Sequence, residues 1–205
     1  MRLAAENLTL ERGGRRLFAN LSFEAKAGEA LVVTGPNGAG KSSLLRGLAG
    51  FLSFASGSVR LESGAAASLQ EQAHYLGHAD ALKAALTAAE NLGFWAEMLG
   101  GTAANVAPAL ARLGLPHVAD FPVRALSAGQ KRRVALARLL VAPRALWLLD
   151  EPTTALDAAA QALFAGIMRA HLETGGIVVA ATHAPLGLEG TKSVRLEGAR
   201  VGAAA

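Results

Sequence analysis

Gly35, Pro36, Asn37, Gly38, Ala39, Gly40, Lys41 and Ser42 fit the pattern G-x-x-x-x-G-K-[ST] without a mismatch. The residues before them, 29–34 (EALVVT), read as a short buried strand, and those after, 43–49 (SLLRGLA), carry the apolar spacing of a helix. The run therefore lies where a strand hands over to a helix, which is the context in which this pattern cradles phosphate. Glycines let the backbone wrap closely around phosphate oxygens, while a helix N-terminus aims free N–H groups and partial positive charge at the same anion. In such a cradle Lys41 reaches the terminal phosphates, Ser42 ligates Mg²⁺ and Ser43 follows on the same helix end. The chain is predicted to bind a nucleotide.

The rest of the chain alternates strands with helices. Residues 3–11 and 17–23, separated by the turn Arg12-Gly13-Gly14-Arg15-Arg16, read as an antiparallel hairpin. Residues 58–61 form another short strand, and 64–67 a loop. Tyr75-Leu76-Gly77-His78 reads as a strand end entering a loop, after which Thr87 and Glu90 have the spacing of a capping box that starts a helix. From about 86 to 123 the pattern is helical and broken by Gly100, Gly101, Gly114 and Pro116, which suggests an inserted subdomain of two or three helices. Ser127 is placed to cap the strongly helical stretch 131–140. Residues 145–149 (ALWLL), closed by Asp150, Glu151 and Pro152, are too short for a helix and read as a buried parallel strand with acids at its carboxyl end. Asp157 opens a further helix, 177–181 (IVVAA) is another buried strand, and Thr182-His183 stands at its end. The expected fold is α/β: a P-loop NTPase with a mostly parallel core sheet, antiparallel N-terminal strands and a small helical insertion. A single domain, 1–205, would have its core in 1–85 and 124–205.

Composition narrows the setting. A net charge of +4 is a small excess of Arg and Lys without a basic tail, so nucleic-acid binding is not expected. The absence of cysteine excludes disulfides and thiolate metal sites. Glu6 and Asn7 interrupt the N-terminal apolar run where a signal peptide needs its core. Apolar residues make up 52% of the chain but fall in runs far below the roughly 20 needed to span a bilayer. A soluble, cytoplasmic protein is expected, one that reaches a membrane only through another subunit.

Ligands of a parallel sheet bind at the carboxyl ends of its strands, and three strands here end in chemistry: the phosphate cradle, the pair Asp150-Glu151, and His183. Asp150 is placed to hold Mg²⁺, often through water. Glu151 would face the terminal phosphate and orient or deprotonate the attacking water.

The ordered set formed by the P-loop, Leu126-Ser-Ala-Gly-Gln130, Leu148-Leu-Asp-Glu-Pro152, Thr154-Ala-Leu-Asp157 and Thr182-His183 resembles the nucleotide-binding domain of ABC transporters over about residues 2–200. The resemblance implies ATP and Mg²⁺ as cofactors, and two copies pairing head to tail so that each P-loop faces the other's signature loop. Ser127, Ala128, Gly129 and Gln130 would then act in the opposite site, as would Asp157, and His183 would contact the γ-phosphate. Integral membrane transporter subunits are the implied partners.

Two positions depart from the family pattern. His78 holds the place of a Gln that ligates Mg²⁺ and senses the membrane partner; a neutral imidazole could hydrogen-bond metal-bound water there. Arg12 stands where an aromatic residue commonly stacks on adenine, and a guanidinium can stack on the same ring. Phe18 is the other candidate, although core packing is the expected role for it. More narrowly, the chain length, His78, and the runs at 126–138, 145–150 and 175–185 resemble the ATP-binding subunit of the bacterial haem exporter of cytochrome c maturation. That would put the chain at the cytoplasmic face of the inner membrane. The alternatives are an ABC ATPase for another substrate and a non-transport regulatory ATPase, though this chain lacks room for the long insertions or tandem domains that regulatory proteins of this kind carry. A P-loop kinase leaves the signature loop unexplained.

Overall fold

The computed structural model describes residues 1–64 and 67–197; the middle of the 64–67 loop and the end of the 1–205 domain lie outside the described residues. Strands β1 (Arg2–Arg12) and β2 (Arg15–Lys26) form the expected hairpin, with β4 (Ser56–Glu62) on the other edge of β1, all antiparallel. The second sheet holds β5 (Ala73–Leu76), β6 (Leu146–Asp150), β7 (Ile177–Ala181), β3 (Ala30–Thr34) and β8 (Lys192–Arg195), in that order and all parallel.

The parallel sheet explains the unbroken apolar runs. Both of its faces are covered, so a central strand has no polar side to alternate with. On β6, Leu146 and Leu148 turn toward the antiparallel sheet and α1 (Lys41–Leu48), where they join Leu31, Val33, Leu44 and Leu45. Trp147 and Leu149 turn to the opposite face, against α4 (Ala128–Val141) and α5 (Ala158–Glu173). Strands β6 and β7 are buried along their whole length.

The insertion comprises α2 (Ala88–Met98), α3 (Val106–Arg112) and single 3₁₀ turns at Ala103–Asn105, Pro116–Val118 and Val123–Ala125. Thr87 caps α2 through the full capping box: the Glu90 amide donates to Thr87 Oγ1 at 3.1 Å, and the Thr87 amide donates to the Glu90 carboxylate at 2.8 Å. Leu92 and Ala96 of α2 and Ala109 and Leu110 of α3 bury their faces with Val134 and Leu136 of α4, in one continuous core cluster. The insertion is thus anchored on the helix that follows the signature residues. Among the described residues, no helix is long and apolar enough to cross a membrane.

Candidate functional site

β3 lies second from the β8 edge of the parallel sheet, and the loop after it carries the phosphate pattern into α1. Gly40 caps α1 in a left-handed conformation (φ 101°) and, being glycine, brings no side chain to cap the amides of the first turn. Those amides and the helix dipole are therefore available to an anion. Gly35 is required by contact as well as by conformation. At φ 137° a Cβ on it would lie 2.3 Å from the Leu196 carbonyl oxygen, just past β8. Lys41 closes the loop from within, its ammonium donating to the carbonyls of Gly35 (2.8 Å) and Pro36 (3.1 Å). A cation held by two carbonyl oxygens can exchange them for phosphate oxygens, with which it makes stronger charge-assisted bonds.

The acids of β6 arrive beside this loop. Ser42 Oγ donates to Asp150 Oδ1 at 3.0 Å, although 108 residues separate them in sequence, and Asp150 is buried. A hydroxyl and a carboxylate that meet in this way are a hard oxygen pair of the kind Mg²⁺ takes alongside phosphate and water. Glu151 leaves the strand through a left-handed backbone (φ 45°), while its amide donates to the Ala181 carbonyl on β7 at 2.8 Å. Its carboxylate accepts from Thr182 Oγ1 at 3.1 Å. That hydroxyl also accepts the Ala184 amide at 3.0 Å, so the end of β7 orients the acid.

These groups line one open cavity of about 650 Å³. Asn37, Gly38, Gly40, Lys41, Ser42 and Ser43 supply one side; Asp150, Glu151 and His183 supply another; Arg12 and Leu17 close the hairpin end. Gly35, Pro36 and Ala39 belong to the loop without lining the cavity, and Ala39 is buried. Of the two residues considered for adenine, Arg12 is in the wall. Phe18 is 8% exposed in the core, its ring 3.2 Å from where a Cβ on Gly40 would lie.

Ser127, Ala128, Gly129 and Gln130 do not line this cavity. They form the N-terminus of α4, where the Gln130 amide donates to Ser127 Oγ (3.2 Å) and the Ser127 amide donates to Gln130 Oε1 (2.9 Å). Asp157 caps α5 through the Ala160 amide at 2.7 Å, and it too stands apart from the wall. His78 is also elsewhere. It lines a second cleft of about 530 Å³ between the core and the insertion, with Phe51, Tyr75, Trp95, Met98 and Arg138. The Arg138 guanidinium sits 4.3 Å over the Trp95 ring, and burial, reinforced by the nearby charge of Arg132, pushes its pKa down to about 10. Phe51 and Met98 are largely exposed at the rim.

Sequence reasoning missed Leu17, Thr182 and Arg132. Leu17 looked like any hairpin residue, and Thr182 was noted only as the neighbour of His183. Arg132 did leave a signal: it falls on the helical face shared by Ala135, Leu136 and Leu139, where an apolar residue is expected.

The match that decides the family covers this same architecture. The ABC transporter family model aligns to residues 18–154, from the hairpin through the acids of β6. The chain belongs to the ABC transporter family. Within it the chain belongs with the cytochrome c biogenesis ATP-binding export proteins. It is 56% identical to that of Nitrobacter winogradskyi over 97% of this chain and 100% of the relative. It is 53% identical to that of Rhizobium meliloti, over 97% and 99%. A solved ATP-binding subunit of an ABC transporter shares the fold with a TM-score of 0.83 at 23% identity, covering 96% of this chain and 86% of that one. An ABC ATP-binding subunit is an ATPase of a transporter, and the cavity around the P-loop is where nucleotide binding is to be sought.

Proposed function

We propose that this chain hydrolyses ATP as the motor subunit of an exporter serving cytochrome c biogenesis, with haem delivery as its task. The observation that carries the reading is the meeting of Lys41, the Ser42–Asp150 pair and Glu151 at one cavity. Lys41 exchanges its two carbonyl partners for the terminal phosphates of ATP, and the amides of the first turn of α1 take the remaining phosphate oxygens. Ser42 and Asp150 hold Mg²⁺, which neutralises charge on those oxygens when bound. Glu151, oriented by Thr182, takes the proton of the attacking water, while His183 donates to the γ-phosphate. Arg12 and Leu17 take the adenine.

The cavity is open, and the residues suited to close it are the exposed α4 N-terminus of a second copy. Ser127 offers a hydroxyl, Gly129 an amide, and the α4 dipole its positive end. Asp157 follows in the same head-to-tail dimer. The cleft holding His78 receives the membrane subunits, with its exposed Phe51 and Met98 as apolar contacts. His78 serves there as the sensor of the partner, and the Mg²⁺ set drawn at the P-loop is Ser42 and Asp150. This chain would then work at the cytoplasmic face of the bacterial inner membrane without spanning it.

Lys41→Ala tests the cradle: ATP affinity measured by equilibrium binding should fall at least tenfold, and full affinity would refute the assignment. Purification from solubilised membranes tests the setting. Co-purification with integral membrane subunits of cytochrome c assembly supports it, and association with ribosomes, DNA or the permease of another substrate overturns it.

A further inference from the structure

Arg132 is 3% exposed in the first turns of α4, and all five of its N–H donors are used. Nε donates to the Pro152 carbonyl at 3.3 Å; Nη2 donates to the carbonyls of Asp150 (3.2 Å) and Glu151 (2.7 Å). Nη1 donates to the Gly77 carbonyl (3.1 Å) and to Asp80 Oδ1 (3.0 Å). One planar group therefore grips three consecutive residues at the end of β6 and, on its other edge, the 77–80 loop that carries His78.

The middle residue of the three is Glu151, whose backbone is left-handed without being glycine. A non-glycine residue stays in that region only where its surroundings hold it. The Glu151 amide is fixed by Ala181 and its carbonyl by Arg132, so the two peptide planes that aim the carboxylate are clamped from opposite sides. Lysine could not reproduce this, because an ammonium has three donors and no planar fork.

We infer that Arg132 is a positioning residue for hydrolysis: it holds Glu151 in its strained backbone and ties that geometry to the position of the 77–80 loop. Asp80 supplies the only carboxylate in the grip and sets how firmly the guanidinium is seated. The loop lines the cleft at Gly77 and His78. A shift of that loop therefore reaches the Glu151 main chain through one side chain.

The inference rests on the role of Glu151 given above for its kinetic consequence, but its structural content is independent of that role. The decisive experiment compares wild type with Asp80→Ala and Arg132→Lys in the full chain, by amide hydrogen exchange and by steady-state ATP hydrolysis. Asp80→Ala should accelerate exchange in the peptide covering 147–154, to which Asp80 is tied through Arg132, as well as in its own loop. Both variants should lower kcat about threefold to tenfold or more, with KM and ATP affinity within about twofold of wild type. If Arg132→Lys does not fold, Asp80→Ala alone decides. Faster exchange confined to residues 77–83, with protection at 147–154 unchanged, would show that the pair is merely local and overturn the inference. Altered exchange at 147–154 with unchanged kcat would instead contradict the role of Glu151.

Discussion

Placing a methyl group on Gly35 and on Gly38 separates two costs that the P-loop glycines carry. At Gly38 (φ 81°) nothing lies within 4 Å of an added Cβ, so alanine costs only the left-handed backbone, about 1–2 kcal/mol. At Gly35 (φ 137°) the conformation is nearly closed to L-residues, and the Cβ would also stand 2.3 Å from the Leu196 carbonyl oxygen. That oxygen belongs to backbone already committed, since the Leu196 amide donates to the Thr34 carbonyl at 2.8 Å. Relief therefore requires the chain after β8 to move away from β3. Backbone strain of about 1–3 kcal/mol and a similar overpacking cost give about 2–6 kcal/mol in all. The assay is urea unfolding of the nucleotide-free full chain, with equal slopes required before midpoints are compared. Equal losses in the two variants, or a larger loss for Gly38→Ala, would refute the claim that β8 contact, rather than nucleotide binding alone, demands glycine at position 35.

His74 should make the fold acid-sensitive. It is buried in β5, its Nε2 lies 2.8 Å from the Ala142 carbonyl, and desolvation lowers its pKa from 6.5 to about 4. The unfolded chain thus binds a proton between pH 6.5 and 4 that the folded chain refuses. Stability is fully present above pH 6.5 and declines by at most about 3 kcal/mol as pH falls to 4. His171, whose pKa is also lowered by burial, adds in the same direction. Urea midpoints at pH 7.5 and 5 should show this slope, and His74→Gln should flatten it; an equal slope in that variant would contradict it. Ser127→Ala removes the cap of α4 and should cost about 1 kcal/mol in the nucleotide-free chain, on top of any catalytic loss. An unchanged urea midpoint would show that the capping box contributes nothing.

The architecture was legible wherever a local signal coincides with a global one. The P-loop, the ALWLL run ending in acids, and the Thr87 and Ser127 caps each name an element and its boundary, and the structure places them accordingly. Asp150 could be assigned to Ser42 because strand ends of one parallel sheet share an edge. What could not be read depends on three-dimensional neighbours with no sequence spacing. Leu17 enters the cavity because the hairpin folds over the P-loop, and Thr182 matters because β7 lies beside β6. Arg132 looks like one more cation in a Lys-Arg-Arg run, yet it is buried while Lys131 and Arg133 remain partly accessible. His78 is a case where only the placement is new: the 77–80 loop sets the residue in the cleft against the insertion, a neighbourhood that no sequence spacing announces.

In the proposed function the cavity at the P-loop is half of a site, completed by the α4 N-terminus of a second chain. Specific ATPase activity of the wild-type chain, measured across a wide range of protein concentration, decides whether one chain suffices. Activity per chain should rise with concentration and then level off as dimers saturate, with Glu151→Gln inactive throughout. Activity per chain that stays constant down to concentrations where only monomer is present would contradict it.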